Sequence, residues 1–372
     1  MNFSIEQSIL IEHLNYVIKG ISTKNLIPIL NCIKFELDKE GLYLISTDNE
    51  MAIKTFIPKE KIEKIESLGE VVVSGRFIYD IIRKLPNEII NLEEVANSKL
   101  FITTTNSSFN LNCNNIDEFP NIDLEDAENP IRIPKKSFRM LINQTAFATS
   151  TQESRPVLTG INFVIDNNTL ECTATDSYRL SKRSIPLDGR LEFTNIIVPT
   201  RNLLELIKIV DEEDEMIELH IFTNKIIFKF DDIVFMTRLI NGTYPDTSQL
   251  IPNDFAIELE VSYSELFSAI DRASLMSSGD DKNTVSFESK DNSILISSNI
   301  PEIGNVEEKI SILSKKGEDI HISFSSKYMI DAIRALSSDR IVLKFNGEIK
   351  PIILVSPDNN ELTELIVPIR TY

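Results

Sequence analysis

"PVLTGINFVIDNNTLECTATDSYRLSKRSIP", residues 156–186, reads against "PILNCIKFELDKEGLYLISTDNEMAIKTFIP", residues 28–58, at a constant offset with no gap. Pro28 falls on Pro156, Phe35 on Phe163, Thr47-Asp48 on Thr175-Asp176 and Pro58 on Pro186. A third, more worn copy begins at residue 283, "NTVSFESKDNSILISSNIPEIGNVEEKISI", with Phe287 at the Phe35 position. Internal repetition governs architecture, so it is weighed before any motif.

A second block repeats as well: "VVVSGRFIYDIIRKLPNEIINL" (71–92), "IIVPTRNLLELIKIVDEEDEMIEL" (196–219) and "IHISFSSKYMIDAIRALSSDRIVL" (320–343). Each has a β-branched strand, a candidate helix cap (Ser74, Thr200, Ser326), a basic residue and apolar residues at helical spacing. In the first copy Phe77, Ile78, Ile81, Ile82 and Leu85 form the expected buried stripe. Each copy is expected to open with a helix: "SIEQSILIEHLNYVIKGI" carries Ile5, Ile9, Leu14, Val17 and Ile21 on one stripe. "PKKSFRMLINQTAFATS" and "SYSELFSAIDRASLMSS" stand in its place later. The reading is three homologous α+β domains, 1–128, 129–253 and 254–372. Their boundaries fall at the acidic, proline-bearing stretches "DLEDAENP" and "LIPNDF".

With 372 residues, 42% hydrophobic and 26% charged, the chain is an ordinary multi-domain globular protein. Its apolar runs are too short to span a bilayer, and the N-terminus lacks a basic segment followed by a long apolar one. A cytoplasmic protein with no signal peptide is expected. Cys32, Cys113 and Cys172 are scattered and odd in number, which favours free thiols. His13, His220 and His321 share no window with a cysteine or with one another, so no metal is expected.

A net charge of −19 rules out a surface uniformly attractive to nucleic acid. The six helical segments nonetheless sum to a positive charge, and the second helix of each copy carries a basic residue at one place: Arg76, Arg201 and Lys327. A mildly basic helical face against an acidic exterior would attract phosphates without reading bases.

Catalysis finds little support. There is no phosphate-binding G-x-x-x-x-G-K-[ST] loop and no G-x-G-x-x-G after a strand. Tyr178 and Lys182 have dehydrogenase spacing but no dinucleotide site beside them. Thr175-Asp176 recurs as Thr47-Asp48, which marks a repeated turn in which Asp accepts backbone N–H bonds. The acidic run "DEEDE" (211–215) has no aligned second carboxylate cluster, so a solvated loop is the stronger reading than a metal site. No cofactor and no catalytic residue are expected.

Over essentially its whole length the chain resembles the bacterial DNA polymerase III beta subunits, the sliding clamps. "RPVLTGINF" (155–163), "ATDSYRLS" (174–181), "GTYPDTSQLIP" (242–252) and "ELIVPIRTY" (364–372) carry the resemblance. It implies a head-to-tail homodimer: a ring with helices inside and antiparallel sheets outside, encircling double-stranded DNA. The ring would hold the polymerase III alpha subunit, the clamp loader and other proteins with clamp-binding peptides. The implied peptide cleft comprises Leu158, Thr175, Ser177, Tyr178, Arg179, Leu180, Pro245, Leu250, Ile366, Val367, Pro368, Ile369 and Arg370, with Arg179 orienting the peptide.

Lys24, Arg76, Gln152 and Arg201 match DNA-facing positions, and Lys24 lacks the fork of an arginine. Phe109 and Leu111 on one chain, with Leu275 and Met276 on the other, match the dimer contact. Burial in the parent domain is an equal expectation for the first two. Three features depart from the pattern. Gln249 stands where some members carry arginine, Pro156-Val157 replaces an aromatic pair, and Thr371-Tyr372 extends the tail.

Overall fold

The computed structural model describes residues 1–21, 26–95, 98–213, 215–277, 283–301 and 303–370. The first repeat runs β1 (Asn2–Glu6), α1 (Gln7–Val17), β2 (Cys32–Leu37), β3 (Gly41–Thr47), β4 (Met51–Pro58), β5 (Lys64–Ser67), β6 (Gly69–Ser74), α2 (Gly75–Lys84), β7 (Ile89–Val95), β8 (Lys99–Thr103) and β9 (Ser108–Asn114). The second runs β10 (Ile131–Pro134), α3 (Lys135–Thr145), β11 (Gly160–Thr175), β12 (Arg179–Pro199), α4 (Thr200–Leu206), β13 (Met216–Ile221), β14 (Lys225–Phe230) and β15 (Ile233–Arg238). The third runs β16 (Ile257–Ser262), α5 (Tyr263–Ser274), β17 (Thr284–Lys290), β18 (Ser293–Ile300), β19 (Gly304–Lys316), β20 (His321–Ser325), α6 (Ser326–Leu336), β21 (Arg340–Phe345), β22 (Ile352–Ser356) and β23 (Asn359–Ile366).

Three details differ from the sequence reading. Each repeat opens with a short strand, so Ile5 lies in β1, and α1 buries Leu10, Leu14 and Val17 while Ile9 is only half-buried. Ser74 precedes α2 but makes no side-chain cap bond, and in α6 the cap position falls on Ser325, with Ser326 already helical. The α2 stripe splits in two: Ile78, Ile82 and Leu85 are buried, whereas Ile81 is half-buried and Phe77 is 64% exposed.

Contacts gather the chain into two compact units, 1–136 with 202–239 and 137–201 with 240–372. Both cut through the second repeat because sheets run on from one repeat into the next. In the first unit β4 pairs antiparallel with β15, Met51 opposite Thr237 and Thr55 opposite Ile233. In the second, β12 pairs with β23, Arg179 opposite Ile366 and Arg183 opposite Leu362. Met51 and Arg179 are repeat counterparts, so one junction has been made twice. The repeated phenylalanines seed the cores: Phe35, Phe163 and Phe287 are at most 1% exposed. Phe287 packs against Phe324 and Phe345, with ring centroids 6.1 and 5.8 Å away.

The acidic run at 211–215 has a structural task. Lys135, its side chain fully buried, extends Nζ to Asp231 at 2.7 Å, Glu215 at 2.9 Å and Asp211 at 3.3 Å. A buried ammonium is tolerated only with such company. The run therefore anchors a lysine at the start of α3. Among the described residues no helix is long and apolar enough to cross a membrane.

Candidate partner-docking site

The turn at 175–179 and its counterpart at 47–51 superimpose bond for bond. Asp176 Oδ1 accepts from the N–H groups of Tyr178 (2.9 Å) and Arg179 (3.0 Å), and Asp48 Oδ1 accepts from Glu50 (3.0 Å) and Met51 (2.9 Å). Thr175 Oγ1 donates to the Arg179 carbonyl at 2.6 Å, as Thr47 does to Met51 at 2.7 Å. Ser177 and Asn49 hold the left-handed backbone, at φ 79° and 76°. The aspartates are thus consumed by the turn and supply no acid or base. Lys182, the other half of the dehydrogenase spacing, pairs across the hairpin with Glu171 at 2.6 Å, while Tyr178 is 61% exposed.

Arg179 is held by two carboxylates of its own chain. Its Nε donates to Asp176 Oδ2 at 3.0 Å and its Nη1 to Asp331 Oδ2 at 2.7 Å. The guanidinium lies over the rings of Tyr328 (4.5 Å) and Phe147 (5.3 Å). These contacts make it a strut tying the turn to α6. Phe147, Tyr328 and Asp331 are essential to this arrangement, and nothing in their local sequence separates them from ordinary helix residues.

The remaining walls follow from how the linker is pinned. Tyr244 is buried against Leu158 and Ile197. Ile251 and Phe255 pack on Leu180, Ile353 and Leu365. Between these anchors Pro245 is exposed and Leu250 is 45% exposed. The Val367 N–H donates to the Tyr178 carbonyl at 2.9 Å, setting Val367, itself 37% exposed, beside Tyr178. Ile369 N–H donates to the Ser323 carbonyl at 2.7 Å, and Pro368 and Ile369 are half-buried while Arg370 is exposed. Ser177, Tyr178, Pro245, Leu250, Val367 and Arg370 are the exposed members of the expected set. Thr175, Leu158, Leu180 and Ile366 are buried supports. Thr371 and Tyr372 lie outside the described residues.

Beneath the site sits a buried acid. Glu364 is 1% exposed, and burial pushes its carboxyl well above the usual carboxylate range, against smaller opposing effects of the Ser181 hydrogen bond and the Arg179 charge. Ser181 Oγ lies 2.6 Å from the Gln144 carbonyl and 2.8 Å from Glu364 Oε1. One hydroxyl hydrogen serves the carbonyl, and a neutral Glu364 supplies the second.

An acid whose folded pKa is raised stabilises the fold fully below its ordinary value of 4.5 and loses that contribution as pH rises towards the folded pKa. Glu364→Gln keeps the donor without the titration. Its melting temperature should therefore gain on the wild type as pH rises above 4.5, and thermal melts at pH 4 and pH 8 read the difference. An offset that does not change with pH would mean that Glu364 titrates alike in both states.

A pocket of about 440 Å³ is lined by the 149–155 loop, Leu158, residues 176–179, Lys327 and Tyr328, so Leu158, Ser177, Tyr178 and Arg179 of the expected set all border it. Arg155 Nη1 donates to Ser177 Oγ at 3.4 Å within this pocket. Gln152 is exposed and lines the pocket; Lys327, the repeated basic residue of the third copy, lines it too.

Arg76 and Arg201 are exposed near the starts of α2 and α4, and Lys24 lies outside the described residues. Phe109 is 39% exposed and Leu111 half-buried, so neither is fully buried within its own domain. Their strand β9 pairs along its length with β8 but reaches β6 only through Cys113 and Asn114. Leu275, just after α5, is 70% exposed, and Met276 is half-buried.

Family models of the DNA polymerase III beta subunit match the chain three times: its N-terminal domain at residues 1–123, its central domain at 132–246 and its C-terminal domain at 248–370. Proteins named beta sliding clamp from Staphylococcus epidermidis and Staphylococcus aureus are each 39% identical over 376 residues, covering 100% of both chains. Among solved structures, the DNA polymerase sliding clamp of Bacillus subtilis matches with a TM-score of 0.97 at 38% identity. The DNA polymerase III beta chain of Streptococcus pneumoniae matches with 0.96 at 34%, and in both cases 100% of each chain is covered.

Proposed function

The chain belongs to the DNA polymerase III beta subunit family, and from that premise we propose that it is a sliding clamp, a non-catalytic processivity factor that encircles duplex DNA and tethers the replicative polymerase. Two copies close head to tail, and domains 1–128, 129–253 and 254–372 of each supply the six segments of the ring. One observation carries this reading. The β4-type strand of each repeat joins the last strand of the next: β4 with β15, β12 with β23. The pattern leaves one strand of each kind over. Residues 304–311 of β19 pair only with β18, and residues 108–112 of β9 pair only with β8, among the described residues. Joining β19 of one copy to β9 of another repeats the same junction a third time. Doing so twice closes a ring and covers both of these unpaired stretches.

Phe109, Leu111, Leu275 and Met276 then meet at that joint. Phe77 and Ile81, the half of the α2 stripe turned away from the core, belong beside them. Arg76, Gln152 and Arg201 face the DNA. Their modest number suits sliding, because a strongly basic lining would bind phosphates tightly. Tyr178, Pro245, Leu250, Val367 and the 368–370 tail take the clamp-binding peptides of the alpha subunit, the clamp loader and other partners. The chain acts where replication takes place, in the cytoplasm.

The test is topological. Loaded on nicked circular DNA, the protein should co-elute with it in gel filtration and be lost within minutes of linearisation. Equal retention on circular and linear DNA would show ordinary surface binding and overturn the ring.

A further inference from the structure

Because the turns at 47–51 and 175–179 are copies, their surroundings can be compared place by place. A pocket of about 270 Å³ beside the first turn is lined by Thr47, Asn49, Pro120, Met236 and Arg238, among others. Strand register and turn bonding make these the counterparts of Thr175, Ser177, Pro245, Leu365 and Val367 in the docking cleft. Arg238 N–H donates to the Glu50 carbonyl at 2.9 Å, as Val367 N–H does to Tyr178 at 2.9 Å. Below them Ala52, Ile227 and Met236 carry the linker residues Ile122 and Leu124, as Leu180, Ile353 and Leu365 carry Ile251 and Phe255. The cradle is therefore repeated and open, with the Lys225–Asp123 ion pair (2.6 Å) also lining it.

The rim does differ. Glu50 stands where Tyr178 stands, and Arg238 where Val367 stands; both are exposed, and Arg238 forms no ion pair with a described residue. We propose that Glu50 and Arg238 are specificity-determining residues that exclude apolar peptides from this sister cleft, so that each chain docks one partner peptide rather than two. An apolar side chain seated there would cover two charges without pairing them, and it would lose the apolar area that Tyr178 and Val367 supply. The inference rests on the cleft reading made under Proposed function.

The test is a binding stoichiometry, measured by titration calorimetry on the full-length protein with a peptide carrying the clamp-binding segment of the polymerase III alpha subunit. The wild type should bind one peptide per chain and the double variant Glu50→Tyr/Arg238→Val two. Adding Tyr178→Ala to the double variant should bring it back to one. Retention on circular DNA checks that each variant is folded, since all three positions are exposed. A double variant that still binds one peptide, or a wild type that binds two, overturns the inference and leaves the docking cleft standing. A wild type that binds none removes the cleft reading and this inference with it.

Discussion

Leu275→Glu combined with Met276→Glu should convert the protein to monomers near 42.3 kDa that are not retained on nicked circular DNA. The chain exposes 70% of Leu275 and leaves Met276 half-buried, so two carboxylates there cost little within the monomer. At a closed joint they would face Phe109 and Leu111, apolar side chains that offer a carboxylate no partner. Leaving a charge buried and unpaired costs about 3–5 kcal/mol. A single such penalty already raises the dimer dissociation constant more than about a hundredfold. Phe109→Glu on the other side of the joint should act alike, and analytical ultracentrifugation reads both. A double variant that remains dimeric would place the joint elsewhere.

How much of this was legible in the residues follows from what repetition can and cannot carry. Copies of a turn share backbone bonding, so Thr175-Asp176 could be assigned to a turn once Thr47-Asp48 was seen, and the geometry agrees to within 0.1 Å. Hydrophobic spacing shows that a residue prefers burial, not what buries it. Phe77 and Ile81 sit one position from Ile78 and Ile82 on a helix, so one broad stripe covers two faces, and only one of them meets the chain's own core. The resemblance places Arg179 at the peptide cleft but says nothing of what holds its side chain. Its commitment to Asp331 is a contact across 152 positions, which no local pattern announces. Glu364 is more hidden still: among alternating strand residues a buried glutamate looks like an outward-facing one. The opening strands β1, β10 and β16 were too short, and too close to the helix signals that follow, to register as strands.

The second large effect concerns the cleft. Tyr178→Ala with Val367→Asp should weaken the alpha-subunit peptide at least tenfold while leaving the dimer and its retention on circular DNA unchanged. Both side chains are accessible, at 61% and 37%, so their loss hardly touches the core. Their value lies in the area they offer a partner, and an aromatic anchor at an interface centre is commonly worth about 2 kcal/mol or more on truncation. Val367→Asp adds a charge at the rim, which imitates the sister cleft, where Glu50 and Arg238 hold these places. Truncating the tail is a blunter instrument, because Ile366 is fully buried in β23 and belongs to the third repeat's core. A deletion that tests docking alone must begin at Val367. If the double variant binds peptide as the wild type does, the cleft has been drawn on the wrong residues. If instead the variant loses its dimer, Tyr178 and Val367 support the ring rather than a partner, and the docking assignment falls.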